Sequence, residues 1–181
     1  MDFPFGTEVR SFYSLQELRQ LVGEEIIQYR TMVEEYSQWL GLFLRDSEAA
    51  NRDQEWFKSI SVMQKSLKAG KKPPNKEKKS GKKQDASSDW IPFKEIMLCS
   101  TENGEAEVLF EAIEEIYTKI DKLEKAKSAL EELEKSGLGK GITYIVFLRD
   151  GVPEKIALRQ NKEDSAERFK FATEFSISTG S

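Results

Sequence analysis

The chain has 181 residues, with 28 Lys+Arg against 32 Asp+Glu, no histidine, one cysteine and 38% hydrophobic residues. That length and composition suit one domain, or one domain with an appendage, around a modest core. The missing histidine excludes a Ser-His-Asp triad, a Cys-His pair and His-built zinc sites, and a lone cysteine excludes an internal disulfide or an all-cysteine zinc site, so a non-enzymatic protein without metal or cofactor is expected.

The N-terminus, Met1-Asp2-Phe3-Pro4-Phe5-Gly6, has neither the basic n-region nor the apolar h-region of a signal peptide. The densest apolar run, Trp39 to Leu44, falls far short of the roughly 20 residues of a bilayer span, so a soluble protein is expected.

Ser14-Leu15-Gln16-Glu17 reads as a capping box, in which a hydroxyl and a carboxylate satisfy amide donors at a helix start. Apolar residues follow at Leu15, Leu18, Val22, Ile26, Tyr29, Val33, Tyr36, Leu40 and Phe43, a helical stripe with one stutter after Val22 and a heptad rhythm beyond it. This predicts a helix of about 30 residues, ~45 Å long. Its last turns, with Trp39, Leu40, Leu42, Phe43 and Leu44, are apolar on more than one side and call for deep burial or a partner. Asn51-Arg52-Asp53-Gln54 is placed to cap a second helix, whose stripe is Trp56, Ile60, Met63 and Leu67.

From Lys65 to Lys83 the composition changes to nine lysines and one acid, Glu77, a local charge of +8 within a chain of −4. Residues 69–88 bury too little apolar surface to offset ordering entropy and are expected to form a flexible linker. Lys71, Lys72, Lys78, Lys79, Lys82 and Lys83 are its candidate polyanion-binding residues, suited to non-specific contact with nucleic-acid phosphate or, in a eukaryote, to nuclear targeting. With no arginine or aromatic residue, the run lacks the means for base readout or stacking.

Beyond Asp89-Trp90-Ile91-Pro92-Phe93, a short strand is predicted between Lys94 and Ser100, and a turn at Glu102-Asn103-Gly104. Cys99, beside Ile96-Met97-Leu98, reads as a core residue. A second long helix, about Glu105 to Lys135, carries the seam Leu109, Ile113, Ile116, Ile120 and Leu123, then Lys127 and Leu130. Adjacent glutamates along both helices point about 100° apart and spread over solvated faces instead of converging on a catalytic or metal site. Gly137-Leu138-Gly139-Lys140-Gly141 has the glycines of a phosphate-binding loop in the wrong place, leaving a helix and entering a strand, and reads as a stop and turn.

After Gly141 the period becomes two: Ile142 to Leu148, a hairpin turn at Asp150-Gly151, Val152 to Gln160, and a third strand through Phe169, Phe171, Thr173, Phe175 and Ile177. The predicted class is α+β, a long helical hairpin or coiled-coil-like bundle with a small C-terminal antiparallel β-meander. Its blocks are residues 1–68 (helical), 69–88 (Lys-rich linker), 89–136 (short strand and long helix) and 137–181 (three-stranded sheet), with 89–181 packing on 1–68 as one domain.

The function expected is a cytoplasmic interaction or scaffold subunit that joins a larger assembly through a protein partner or a second copy. Its candidate interface residues are Trp39, Phe43 and Trp56 with the seam residues Leu109, Ile113, Ile116, Ile120 and Leu123. The alternative is a nucleic-acid or ribosome-associated accessory factor tethered by the lysines.

Overall fold

The structure is a computed structural model that describes residues 6–68, 89–138 and 141–160. In order, it contains strand β1 (Thr7–Phe12), helices α1 (Leu15–Asn51) and α2 (Glu55–Lys68), strands β2 (Ile91–Phe93) and β3 (Ile96–Leu98), helix α3 (Glu102–Lys135), and strands β4 (Ile142–Arg149) and β5 (Val152–Gln160). The protein is α+β, with two long helices and a small antiparallel sheet. No helix among the described residues is long and apolar enough to cross a membrane. The described residues divide into two compact units that cut across the blocks read from the sequence: 6–25 with 122–160, and 26–121.

The first unit is built on a sheet of order β1-β4-β5, antiparallel throughout. β1 is a strand the sequence reading missed. Its register, Thr7 opposite Arg149 and Phe12 opposite Tyr144, puts Glu8, Arg10 and Phe12 on the face that also carries Tyr144, Val146 and Leu148. Two of the three β1 residues on that face are charged, so hydrophobic alternation is too weak there to announce a strand. The expected strand at Phe169 to Ile177 lies outside the described residues.

The Asp150-Gly151 turn forms as predicted, with both residues left-handed (φ 49° and 79°), the type I′ geometry that matches strand twist. It is tied to the start of β1: Asp150 N–H donates to the Gly6 carbonyl (2.8 Å) and Gly6 N–H to Asp150 Oδ1 (3.2 Å). Between Phe147 and Leu148 the register with β5 shifts, because Glu154 is an extra residue beside Pro153. Among the described residues β5 is an edge strand, and an edge strand with a bulge tolerates that proline's missing donor.

The buried residues Leu15, Leu18, Val22, Leu123 and Leu130 supply the helical side of this unit's core. Ser14 Oγ accepts the N–H of Glu17 (3.1 Å), while the Glu17 carboxylate accepts the N–H of Tyr13 (3.1 Å), one residue earlier than in an ideal capping box. Within this unit α1 and α3 run antiparallel, with Arg19 paired to Glu134 at 3.0 Å. Lys127, the polar residue in the predicted seam, is half-buried; a Cβ built on Gly23 would stand 3.9 Å from its amine.

In the second unit the pairing is again antiparallel: Asn51 Nδ2 donates to Glu102 Oε2, and the Lys119 amine lies 5.4 Å from the Tyr29 ring centre. The buried stripe of α1 continues through Ile26, Tyr29, Val33 and Leu40 as predicted, then moves to Leu44 and Ser47, leaving Phe43 half-buried. A strict heptad drifts around a straight helix, and a four-residue step after Leu40 restores the buried face. Asn51 ends α1 with its side chain on the Ser47 carbonyl, while Gln54, the last residue of the expected cap segment, stands at the start of α2 with its carbonyl accepting the N–H of Lys58 (3.2 Å). Helix α2 buries Phe57, Ile60, Gln64 and Leu67, leaving Trp56 and Met63 half-buried.

The turn expected at Glu102-Asn103-Gly104 is instead the first turn of α3. Thr101 explains the shift: its hydroxyl oxygen accepts the N–H of Gly104 (3.3 Å) and caps the helix. Gly104 resembles a helix breaker in the sequence, yet it sits inside the first turn of α3, where a Cβ would collide with the Sγ and Cβ of Cys99.

Candidate protein-docking groove

The short hairpin β2–β3 turns through Lys94 (φ 54°) and pairs Ile91 with Leu98 and Phe93 with Ile96. All six strand residues are exposed, and none is charged. Two three-residue strands have little independent stability, and a hairpin apolar on both faces is an unusual thing to leave in water.

Beside it, Tyr36 and Trp39 on α1 and Glu105, Val108, Leu109 and Ala112 on α3 bound a groove of about 620 Å³, with Trp90, Met97, Leu98 and Cys99 as its other wall. Its apolar rim is half in water: Trp39 is 53% exposed, Met97 52%, Leu98 49% and Val108 51%. Trp90 is fixed by its indole N–H, which donates to Glu107 Oε2 at 2.7 Å.

A network at the mouth holds the hairpin to the helix. Thr101 has one hydroxyl proton and gives it to Asp89 Oδ2 (3.2 Å), so the 3.2 Å contact with Cys99 Sγ is made by the thiol donating to Thr101 Oγ1. Cys99, expected in the core, is only half-buried. The network caps α3, and no base faces the thiol to make it a nucleophile among these contacts.

The groove adjoins a second, polar cleft of about 680 Å³ through shared Thr101 and Glu102; Asn51, Gln54, Glu55, Trp56, Asp89 and Asn103 complete it. Among the described residues the two linings together contain four carboxylates, Glu55, Asp89, Glu102 and Glu105, and no lysine or arginine. A third cleft, about 570 Å³ near Leu42 and Tyr117, carries Glu34 and Arg45 together and so has no single sign. Among the described residues no group of His, Cys, Asp and Glu is arranged to hold a metal ion.

The sequence-derived interface residues are scattered by this arrangement. Trp39 stands on the groove rim, Leu109 in its buried floor, and Trp56 in the acidic cleft, edge-on to Phe57 with ring centres 5.6 Å apart. Phe43 lines neither cleft. Ile113, Ile116, Ile120 and Leu123 are buried within the chain itself, which takes up the seam without a second molecule. The six candidate lysines lie outside the described residues. The strand expected between Lys94 and Ser100 is β3; what sequence reasoning missed is its partner β2 and Val108, and the signal was present in two apolar triplets, Ile91-Pro92-Phe93 and Ile96-Met97-Leu98, separated by the two polar residues of a tight turn.

A scan against protein-family models finds no match, and neither do comparisons with curated proteins or with solved structures.

Proposed function

We propose that this chain is a non-enzymatic interaction or scaffold subunit, acting in the cytoplasm, that joins a larger assembly through the groove between α1, α3 and the β2–β3 hairpin. One observation carries this reading: contiguous apolar residues on both helices and the hairpin stand about half exposed around one cleft, while the long seam is satisfied internally. Scattered exposed hydrophobics are ordinary, whereas a rimmed, contiguous apolar patch marks an interaction surface. Aromatic anchors such as Trp39 are the residue type that dominates interface energies.

The test is quantitative affinity capture of the intact chain against its Trp39→Glu, Leu98→Glu variant, with light scattering of both. A stoichiometric partner, or a second copy, is expected with the wild type and is lost in the variant. Equal capture by both, or a strict monomer with no stoichiometric partner, refutes the reading.

A second reading rests on the nine lysines between Lys65 and Lys83: a nucleic-acid or ribosome-associated factor with an electrostatic tether. It requires RNA or DNA binding that weakens steeply with salt and disappears when Lys71, Lys72, Lys78, Lys79, Lys82 and Lys83 become Gln. Unchanged binding in that variant eliminates the tether.

A further inference from the structure

We infer that the occupant of the groove is a bipartite protein segment, with bulky apolar side chains at one end and a cluster of lysines or arginines at the other. The inference rests on the subunit reading above and adds the chemistry of the partner. Its ground is the adjacency of two unlike clefts. The apolar groove around Trp39, Met97 and Val108 adjoins, at Thr101 and Glu102, a cleft whose described charged residues are all acidic.

Glu102 and Asp89 are already engaged, by Asn51 and Thr101 respectively. Glu55 and Glu105 make no ion pair or side-chain hydrogen bond with another described residue, so two carboxylates line the clefts with no described cation against them. Both sit in the first turn of a helix, where the macrodipole favours an acid by a few tenths of a kcal/mol. That local preference explains an acid in each first turn. It does not explain why, among the described residues, no lysine or arginine lines either cleft.

A neutral apolar peptide would fill the groove and leave the acidic cleft solvated. An acidic peptide would meet only like charge. A segment with apolar anchors followed by cations satisfies both clefts, and like-charge exclusion makes the acidic part a specificity element more than a source of affinity.

The experiment uses the full chain and three synthetic peptides with fluorescent labels: one with leucines and methionines leading into lysines, one with those lysines replaced by glutamates, and one with the apolar residues replaced by serines. Binding is read by anisotropy at low and high salt. Only the first peptide is expected to bind. Trp39→Ala should weaken it at least tenfold at either salt concentration. The Glu55→Gln, Glu105→Gln variant should weaken it several-fold at low salt and little at high salt. Circular dichroism of each variant establishes that the fold persists.

Equal binding of the glutamate peptide, or a wild-type affinity in both variants, overturns the inference. Self-association of the chain that is lost with Trp39→Ala, with no peptide bound, overturns it in favour of a second copy. If no peptide binds but Trp39-dependent capture of a partner persists, the charge assignment fails and the subunit reading stands; if both vanish, both fail.

Discussion

Three residues show how competing local terms are decided by their surroundings. Gln64 is buried on the inner face of α2, and its Nε2 has no hydrogen-bond partner among the described residues. An unsatisfied buried amide costs about 1–3 kcal/mol, and methionine fills similar space with comparable helix propensity. Gln64→Met is therefore expected to raise stability by about 1 kcal/mol; an unchanged or lower urea midpoint would mean that the amide is satisfied. At Gly104 the signs reverse. Alanine is normally better than glycine inside a helix by about 1 kcal/mol, but crowding a packed site costs about 1–3 kcal/mol. Because the added Cβ would collide with both Sγ and Cβ of Cys99, Gly104→Ala should destabilise, and Cys99→Ala should relieve only part of the loss, since its own Cβ remains. Thermal unfolding of the single and double variants measures both effects.

Tyr144, nearly enclosed in the sheet's covered face, adds a pH dependence. Burial pushes its phenol above the ordinary value. As pH rises past about 10 the unfolded chain releases this proton while the folded chain retains it, so the unfolded state binds fewer protons and stability falls with pH. Its contribution is constant below that range and declines through the interval up to the raised value. Denaturation midpoints between neutral and strongly alkaline pH should fall less steeply in Tyr144→Phe than in the wild type; parallel curves would count against this account.

At the level of elements, the legible features were those whose signal is local. The heptad spacing of Leu109, Ile113, Ile116, Ile120 and Leu123 announced α3, and Asp150-Gly151 announced the hairpin, because both reflect intrinsic periodicity or backbone preference. The start of α3 was misplaced since Gly104 resembles a breaker until Cys99 is set against it, a contact invisible in the order of residues. The groove was half legible: Trp39 stood out by size, whereas Val108 became part of it only when α3 was rotated so that Leu109 faced inward. Burial separates these positions energetically. Ile113→Ala, at a fully enclosed site, is expected to cost about 2–5 kcal/mol, while Val108→Ala, half in water, should stay below about 1 kcal/mol. Chemical denaturation of both variants decides it, and similar losses would mean that Val108 is covered.

For the molecule as a whole, all three tryptophans, Trp39, Trp56 and Trp90, lie in the second unit, while α1 and α3 each run unbroken from one unit into the other. Indole fluorescence thus reports one unit, and far-ultraviolet circular dichroism reports both. Shared helices should couple the two: Val146→Ala, a core lesion in the first unit's sheet, is expected to lower the fluorescence midpoint together with the dichroism midpoint. A fluorescence transition left in place while the dichroism curve splits would show that each unit melts by itself.

The tie between Gly6 and Asp150 also sets an order of events during synthesis. β4 and β5 meet across a two-residue turn and can zip within microseconds of leaving the ribosome, but β1 waits, fully translated, until the strand it pairs with emerges more than a hundred residues later. Throughout that delay Val9 and Phe12 have no sheet to join, and β4 offers an uncovered edge as soon as it appears. Nascent-chain exposure is thus built into the topology, and the alternating Glu8 and Arg10 place charge on the very strand that must remain unpaired longest.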